Sequence, residues 1–379
     1  MSQLLEVLDN WEGFAAINPK SSSLVESKAS RLVRLIANAD GMPSYRHQYL
    51  LREVITTDDF PQLFGFTLQR DMMARYRAAD VDWQSYCAIG RLPNFNPGET
   101  HKVMGNDNLL PPVVEKGEYL VGPVRHARYL RQLAKYGRQF DISWEAMVND
   151  ALGAFSDVPQ RMADSVTYTR AYHATQLFSS AAGPNVLLFG APITDVDAQL
   201  VTNVGTLALT ITNLQTTLNL MAMQTDVNGR PLGIQGIHLV VPPALKFTAL
   251  AIAQSTQVAY AATALAAIPL TTANVVSQVG IKVHVNPLLP IIDLTANANT
   301  TWYLFAEVSQ GKAMQIDFLD GATDPEICMK SSDKVAIGGG LLSPMSGDFA
   351  TDNVFYRVRD VHGGTQLDPR NAYAQNGTT

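Results

Sequence analysis

The sequence predicts an α+β fold of two parts, one inserted into the other. Three observations carry that expectation. Charge is unevenly spread: residues 179–300 hold seven charged side chains, residues 301–379 hold sixteen, and residues 1–178 hold 39. The charge-poor middle reads helix, strand, helix, strand, strand, an order that builds an α+β or α/β layer. Ahead of it, a turn-rich stretch with little apolar material of its own runs into one long helix with a packing face.

The elements follow in order. Within residues 1–55, residues 23–37 place Leu24, Ala29, Leu32, Val33, Leu35 and Ile36 at the spacing of a short amphipathic helix. Asp58 or Asp59 then suits an N-cap before Leu63, Phe64, Leu68, Met72, Met73 and Tyr76, which recur at helical spacing. Between residues 90 and 122, Pro93, Pro97, Gly98, Gly105, Pro111, Pro112, Gly117 and Gly122 punctuate polar sequence. Residues 99–104 and 119–129 read as two strands of an extended hairpin. An isolated two-stranded hairpin is marginal in water, so this arm must lie against something, and a neighbouring subunit is the obvious candidate.

Trp144, Met147, Val148, Ala151, Leu152 and Phe155 mark a short helix. Ser156 or Asp157 caps the next, with Pro159 in its first turn. Val158, Met162, Val166, Tyr172 or Thr169, and Leu177 supply its face. In the middle part, Leu207, Ile211, Leu214, Leu218 and Met221 step by four and three, a helix ended by the Asn228–Gly229 turn. Residues 237–241 form a buried strand before Pro242 and Pro243, residues 244–255 a helix, and residues 281–285 and 301–306 two more strands. Strand alternation returns at residues 314–318 and 354–358. Gly338, Gly339 and Gly340 make a loop, and residues 371–379 form a polar, frayed tail. Trp144 and Trp302 read as core aromatics.

Composition narrows the function. The 379 residues allow one large or two moderate domains, and 46% hydrophobic against 16% charged content supplies a core. A net charge of −6 carries no global basic signature, so strong duplex binding is not indicated. Cys87 and Cys328 belong to no CxxC pair, which suits a reducing cytoplasm. No basic segment precedes an apolar run at the N-terminus, so no signal peptide is visible. Residues 244–270 are the most apolar stretch, but Lys246, Gln254, Ser255 and Gln257 interrupt them, which excludes a membrane span there.

Catalytic and cofactor signatures are missing. The seven histidines are scattered without HExxH or paired Cys/His spacing, which argues against a metal site. Neither a GxSxG elbow nor a phosphate-binding P-loop occurs, and the three glycines at 338–340 lack the dinucleotide spacing. The expectation is no catalytic residues, no cofactor and no metal. One charge feature stands out: Arg125, Arg128, Arg131, Lys135 and Arg138 fall together with no acid among them. They form a solvated strand face, or they meet acids on an adjoining subunit and fix register, or, less favoured with only Tyr129 and Tyr136 interleaved, they touch nucleic acid. Lys102 and Lys116 sit in the arm as surface lysines. Some protein shells join a lysine to an asparagine covalently, but nothing here shows the acid such a reaction needs.

Taken together, Tyr136-Gly137-Arg138, Phe140, Ile142-Ser143, Glu145-Ala146, Asn149-Asp150 and Leu152-Gly153-Ala154-Phe155 resemble the Mu-like major head subunit of tailed bacteriophages. So do Thr57-Asp58-Asp59-Phe60-Pro61, Glu118-Tyr119, and the ending Tyr356-Arg357-Val358-Arg359, Gly363 and Asp368-Pro369-Arg370. The resemblance implies the Hong Kong 97-like capsid fold. Residues 1–55 would be the N-terminal arm and 90–138 the extended loop. Residues 56–89, 139–189 and 311–379 would form the peripheral domain, with a spine helix at about 157–178, and residues 190–310 the axial domain. The basic residues 125–138, Lys102 and Lys116 would then contact neighbouring subunits. Residues 1–55 are shorter than the scaffold-like leader that many relatives lose to a protease, so the expectation is a separate scaffolding protein or none.

The resemblance implies a subunit that self-assembles into hexamers and pentamers of an icosahedral head enclosing double-stranded DNA. Its partners would be its own copies, a portal, scaffolding and decoration proteins, and DNA held non-specifically, with no membrane. Assembly would take place in the host cytoplasm. An encapsulin-like nanocompartment shell keeps the fold but changes the cargo. A cytosolic enzyme with a dispersed site is a third reading.

Overall fold

In the computed structural model, the described residues are 82–105, 109–119, 121–122, 124–143, 158–191, 201–226, 228–259, 271–330, 332–335, 337 and 347–377. The helices expected at residues 23–37, 63–76 and 144–155, the caps at Asp58 or Asp59, and the glycine loop at 338–340 lie outside them, as does the N-terminal arm. The chain divides into two compact units. The larger comprises Met72–Arg138, Asp157–Glu326 and Val358–Thr379, the smaller Met1–Asp71, Gln139–Ser156 and Ile327–Arg357.

The strands are β1 (Ala88–Leu92), β2 (Gly98–Gly105), β3 (Val124–Arg131), β4 (Ala134–Ile142), β5 (Gly236–Val241), β6 (Lys282–Val285), β7 (Trp302–Ala306), β8 (Met314–Leu319), β9 (Glu326–Met329), β10 (Val354–Gln366) and β11 (Ala372–Gln375). The main helices are α1 (Val158–Gln176), α2 (Ile211–Ala222) and α3 (Lys246–Gln254). This mixture bears out the α+β class.

In the larger unit the central sheet runs β6-β5-β7-β11, with the short Val204–Gly205 strand beyond β11. Side chains alternate across a pleated strand, and here both faces are covered. Leu239, Val241, Trp302, Leu304 and Tyr373 point to one core, with Leu214 and Met221 of α2 and Ala249 and Ile252 of α3. Val240, Tyr303, Phe305, Ala372 and Ala374 point to the other, with Ala174, Leu177 and Phe178 at the end of α1 and Met314, Ile316 and Phe318 of β8. A strand buried on both faces needs apolar residues at every position, which is why β7 reads Trp-Tyr-Leu-Phe-Ala without a polar interruption. Each large apolar side chain of this kind contributes about 1.5–3 kcal/mol on burial.

The second sheet pairs β1 with β8 in parallel and β8 with β10 antiparallel. Helix α2 begins at Thr210, whose hydroxyl accepts from the Asn213 N–H at 3.2 Å. Leu207 stays outside it and offers its carbonyl to the Trp302 indole N–H at 3.0 Å. A turn with Gly229 at φ +81° follows the helix. Residues 244–255 divide into a short 3-10 turn, Pro243–Leu245, and α3.

Two expectations are corrected. The tail is not frayed through residue 375: β11 is buried and pairs antiparallel with β7, Trp302 opposite Gln375 and Phe305 opposite Ala372. It thereby joins the sheet of the middle segment. The strand expected at residues 354–358 runs on as β10 to Gln366.

In the smaller unit, Phe140 stacks on Tyr356 with ring centres 5.0 Å apart. The Asn353 amide donates to Asp141 at 2.8 Å, and Lys334 pairs with Asp352.

Candidate functional site

The arm forms. Strands β2 and β3 pair antiparallel in continuous register from Gly98 opposite Arg131 to Gly105 opposite Val124. The second strand starts at Val124 and not at residue 119, since Pro123 just ahead has no N–H to give to a ladder. The alternation gives the hairpin two unlike faces. Thr100, Lys102, Met104, Ala127, Tyr129 and Arg131 share the inner one, where Met104, Ala127 and Tyr129 pack with Val201. Glu99, His101, Val103, His126, Arg128 and Leu130 share the outer one, which is exposed.

Ion pairs fix the inner face at two levels. At the root, the Arg131 Nε donates to Asp317 Oδ2 at 2.8 Å, with further bonds to Thr100 Oγ1 at 3.1 Å and the Arg91 carbonyl at 3.2 Å. Asp317 is fully buried and also accepts from Gln315 at 2.6 Å. The guanidinium's attachment to Asp317 holds its proton even more firmly than usual.

Farther along, Lys102 Nζ lies 2.6 Å from Asp368 Oδ2. Asp368 also receives Arg370, Nε to Oδ1 at 2.9 Å and Nη2 to Oδ2 at 2.7 Å. Arg370 reaches Asp226 Oδ1 at 2.6 Å and lies 3.2 Å from the Met104 sulfur. Burial by itself would raise Asp368, but the hydrogen bonds and charge of Arg370 and then of Lys102 outweigh it and bring its carboxyl down to about 2.

Beyond the ladder, the described side chains of the arm are exposed. Leu109 and Val121 are each 97% exposed, Leu110 86% and Tyr119 85%. Lys116, at φ +62°, sits in the turn closed by the Gly117 N–H to Val114 carbonyl bond of 2.8 Å.

The basic run is thus split by its surroundings. Arg131 and Lys102 pair within the chain. Arg128 faces outward and meets Glu99 at 3.3 Å. Arg125 stands opposite Met104 in the ladder, and its side chain lies outside the described residues. Lys116, Lys135 and Arg138 are exposed.

Two networks escape a sequence reading because their members are far apart. One is the Asp226–Asp368–Arg370 cluster, of which only Asp368-Pro369-Arg370 showed as a motif. The other joins α1 to β10: Arg170 Nε donates to Asp360 Oδ2 at 2.9 Å, His362 Nδ1 lies 2.9 Å from the same oxygen, and His362 Nε2 lies 2.7 Å from His173 Nδ1. Burial opposes ionisation of Asp360, yet bonds from Arg170 and His362 hold its carboxyl at about 2. Among the described residues, no cluster of His, Cys, Asp or Glu could hold a metal ion, and no helix is long and apolar enough to cross a membrane.

Residues 129–375 match the model of a family described as phage capsid protein. No curated protein matches the chain. Among solved structures, the chain is similar to the capsid of the cyanophage P-SCSP1u, at 16% identity and TM-score 0.45, covering 79% of this chain and 89% of that one. It is also similar to the mature capsid of bacteriophage PhiM1, at 9% identity and TM-score 0.49, covering 79% and 88%. A third is the capsid of an empty GTA particle, at 12% identity and TM-score 0.46, covering 79% and 90%.

Proposed function

The chain belongs to the phage capsid protein family, and from that premise we propose that it is the repeating subunit of an icosahedral head, built as hexamers and pentamers around double-stranded DNA. It is a structural protein of the virion. The finer mechanism is arm-over-neighbour locking. The observation that carries it is the bare apolar tip of an otherwise anchored hairpin: Leu109, Leu110, Val114, Tyr119 and Val121 have no cover within the chain that is described. A second copy supplies that cover. Lys116, Lys135 and Arg138 are the cations positioned to meet acids on a neighbour; Arg128, already paired with Glu99, and Arg125 belong to the same run.

In this reading α1 is the spine of a peripheral domain, and the charge-poor middle segment is an axial domain of the Hong Kong 97 type, close in layout to the Mu-like subunits. A portal, scaffolding and decoration proteins and non-specifically held DNA complete the partners, and assembly takes place in the host cytoplasm. The subunit performs no catalysis. The match to a phage family leaves the nanocompartment reading without support of its own.

Electron microscopy of the purified, concentrated protein tests the proposal. Closed shells are expected; a protein that stays monomeric at high concentration refutes it. Replacing residues 106–123 by an Asn-Gly turn, which keeps the packed ladder, is expected to give a folded subunit without stable shells. Normal shells from that variant would refute the locking role of the tip.

A further inference from the structure

We propose that Lys102, Asp368, Arg370 and Asp226 form a positioning knot that sets the direction of the arm. This rests on the reading of the arm as an assembly element and adds the residues that aim it.

The argument is mechanical. A rod held at one point pivots, and a rod held at two separated points does not. At its root the hairpin is attached by Arg131 to Asp317, level with Gly98, and by the Thr365 hydroxyl donating to the Leu130 carbonyl at 3.2 Å; farther out, Met104 and Ala127 pack with Val201. Lys102 lies four residues farther along β2, about 14 Å away at strand rise, and on the same face. Past Met104 the described residues of β2 and the tip, apart from the half-buried Gly117 and Gly122, are exposed, so the tip points where the attachments along the inner face send it.

The knot suits the task. Two cations meet two carboxylates, so no net charge is buried. Asp368 does double service, because its Oδ1 also accepts from the Arg370 N–H at 3.1 Å and starts the Pro369–Asn371 turn that leads into β11. Asp226 is held by its own turn, its N–H donating to the Arg230 carbonyl at 2.8 Å and its carbonyl accepting from Gly229 at 2.8 Å. The arm strand is thereby joined to the turn after α2 and to the buried C-terminal strand. Lys102 is the replaceable member. Its side chain is 45% exposed, and without it Asp368 keeps Arg370, so no buried charge is orphaned. Its loss leaves the outer hold to the Met104 and Ala127 packing on Val201 and so loosens the arm without unfolding the subunit.

The test measures arm direction. Spin labels go on Val114→Cys in the arm and Thr212→Cys on α2, in a Cys328→Ser background. Cys87 is buried, with its thiol pushed up by burial, and stays unlabelled. The labelled protein is diluted into a large excess of unlabelled protein and the distance distribution is read by double electron–electron resonance. A single narrow distribution is expected. Lys102→Met should make it roughly two-fold wider with the melting temperature unchanged, and Lys102→Arg should restore it. An unchanged width in Lys102→Met, or a parent already as broad, overturns the knot. Shells are counted separately. If the arm loosens and shells still form, the knot stands and the assembly role of the arm falls.

Discussion

At the scale of the residue, Arg170 is the most consequential surprise. The buried stripe of α1 runs Met162, Val166, Arg170, Ala174, so an arginine holds a place where the sequence suggested Thr169 or Tyr172. Its guanidinium is accommodated because Asp360 takes it from one side and the Thr323 carbonyl at 2.8 Å from the other, with the Phe318 ring beneath. Arg170→Met should therefore lose about 3 kcal/mol in urea unfolding, since it leaves a buried carboxylate with His362 as its remaining named partner rather than removing a surface pair. The neighbouring histidines give a pH dependence. His362 lies between Asp360, 2.9 Å from its Nδ1, and His173, whose Nδ1 is 2.7 Å from His362 Nε2, with the Tyr136 ring stacked on His362 and Tyr172 edge-on to His173. Burial, and next the proximity of His362, lower the pKa of His173, partly offset by Asp360. The unfolded chain thus takes up this proton before the native one does. Stability from His173 is complete above its ordinary value of about 6.5 and falls as pH drops from there to the lower native value. Urea midpoints measured between neutral and mildly acid pH should show that decline, and His173→Gln should flatten it. An equal slope in the variant would remove His173 as the cause.

At the scale of the element, β10 shows why some glycines are not replaceable. A Cβ on Gly363 would overlap the backbone carbonyl of Gln132, in the two-residue turn between β3 and β4 at the root of the arm. Backbone cannot swing aside as a side chain can. Gly363→Ala should cost about 2–3 kcal/mol by overpacking, read as a lower thermal midpoint. By contrast, helix α2 was legible from Leu214, Leu218 and Met221 because helical periodicity is local, and so were β5 and β7 because a strand covered on both faces is apolar throughout. Strand β11 was not, since Ala-Tyr-Ala-Gln is short and only its ladder with β7 makes it core. The knot and the Arg170 cluster were hidden for the same reason. Bonded members are separated by up to 266 positions, and single-sequence patterns do not report which distant charges meet.

At the scale of the whole molecule, the surface offered to neighbours mixes two forces that respond oppositely to salt. The arm tip is apolar, while Lys116, Lys135 and Arg138 are exposed cations on a chain of net charge −6. Complementary charge speeds encounter and selects register, but exposed pairs add little to the strength of a finished contact. Apolar burial does the reverse: it holds what has formed and is not screened. Raising ionic strength from about 0.05 to about 0.5 M shortens the Debye length from roughly 14 to 4 Å. Light scattering should then show shells forming several-fold more slowly, while shells already formed should survive the same transfer. Lys135→Glu with Arg138→Glu should slow assembly at low salt and lose most of the salt dependence, leaving the final yield close to that of the parent. If formed shells instead dissolve as salt rises, the cations rather than the tip hold the lattice, and the locking role passes from the apolar residues to the basic run.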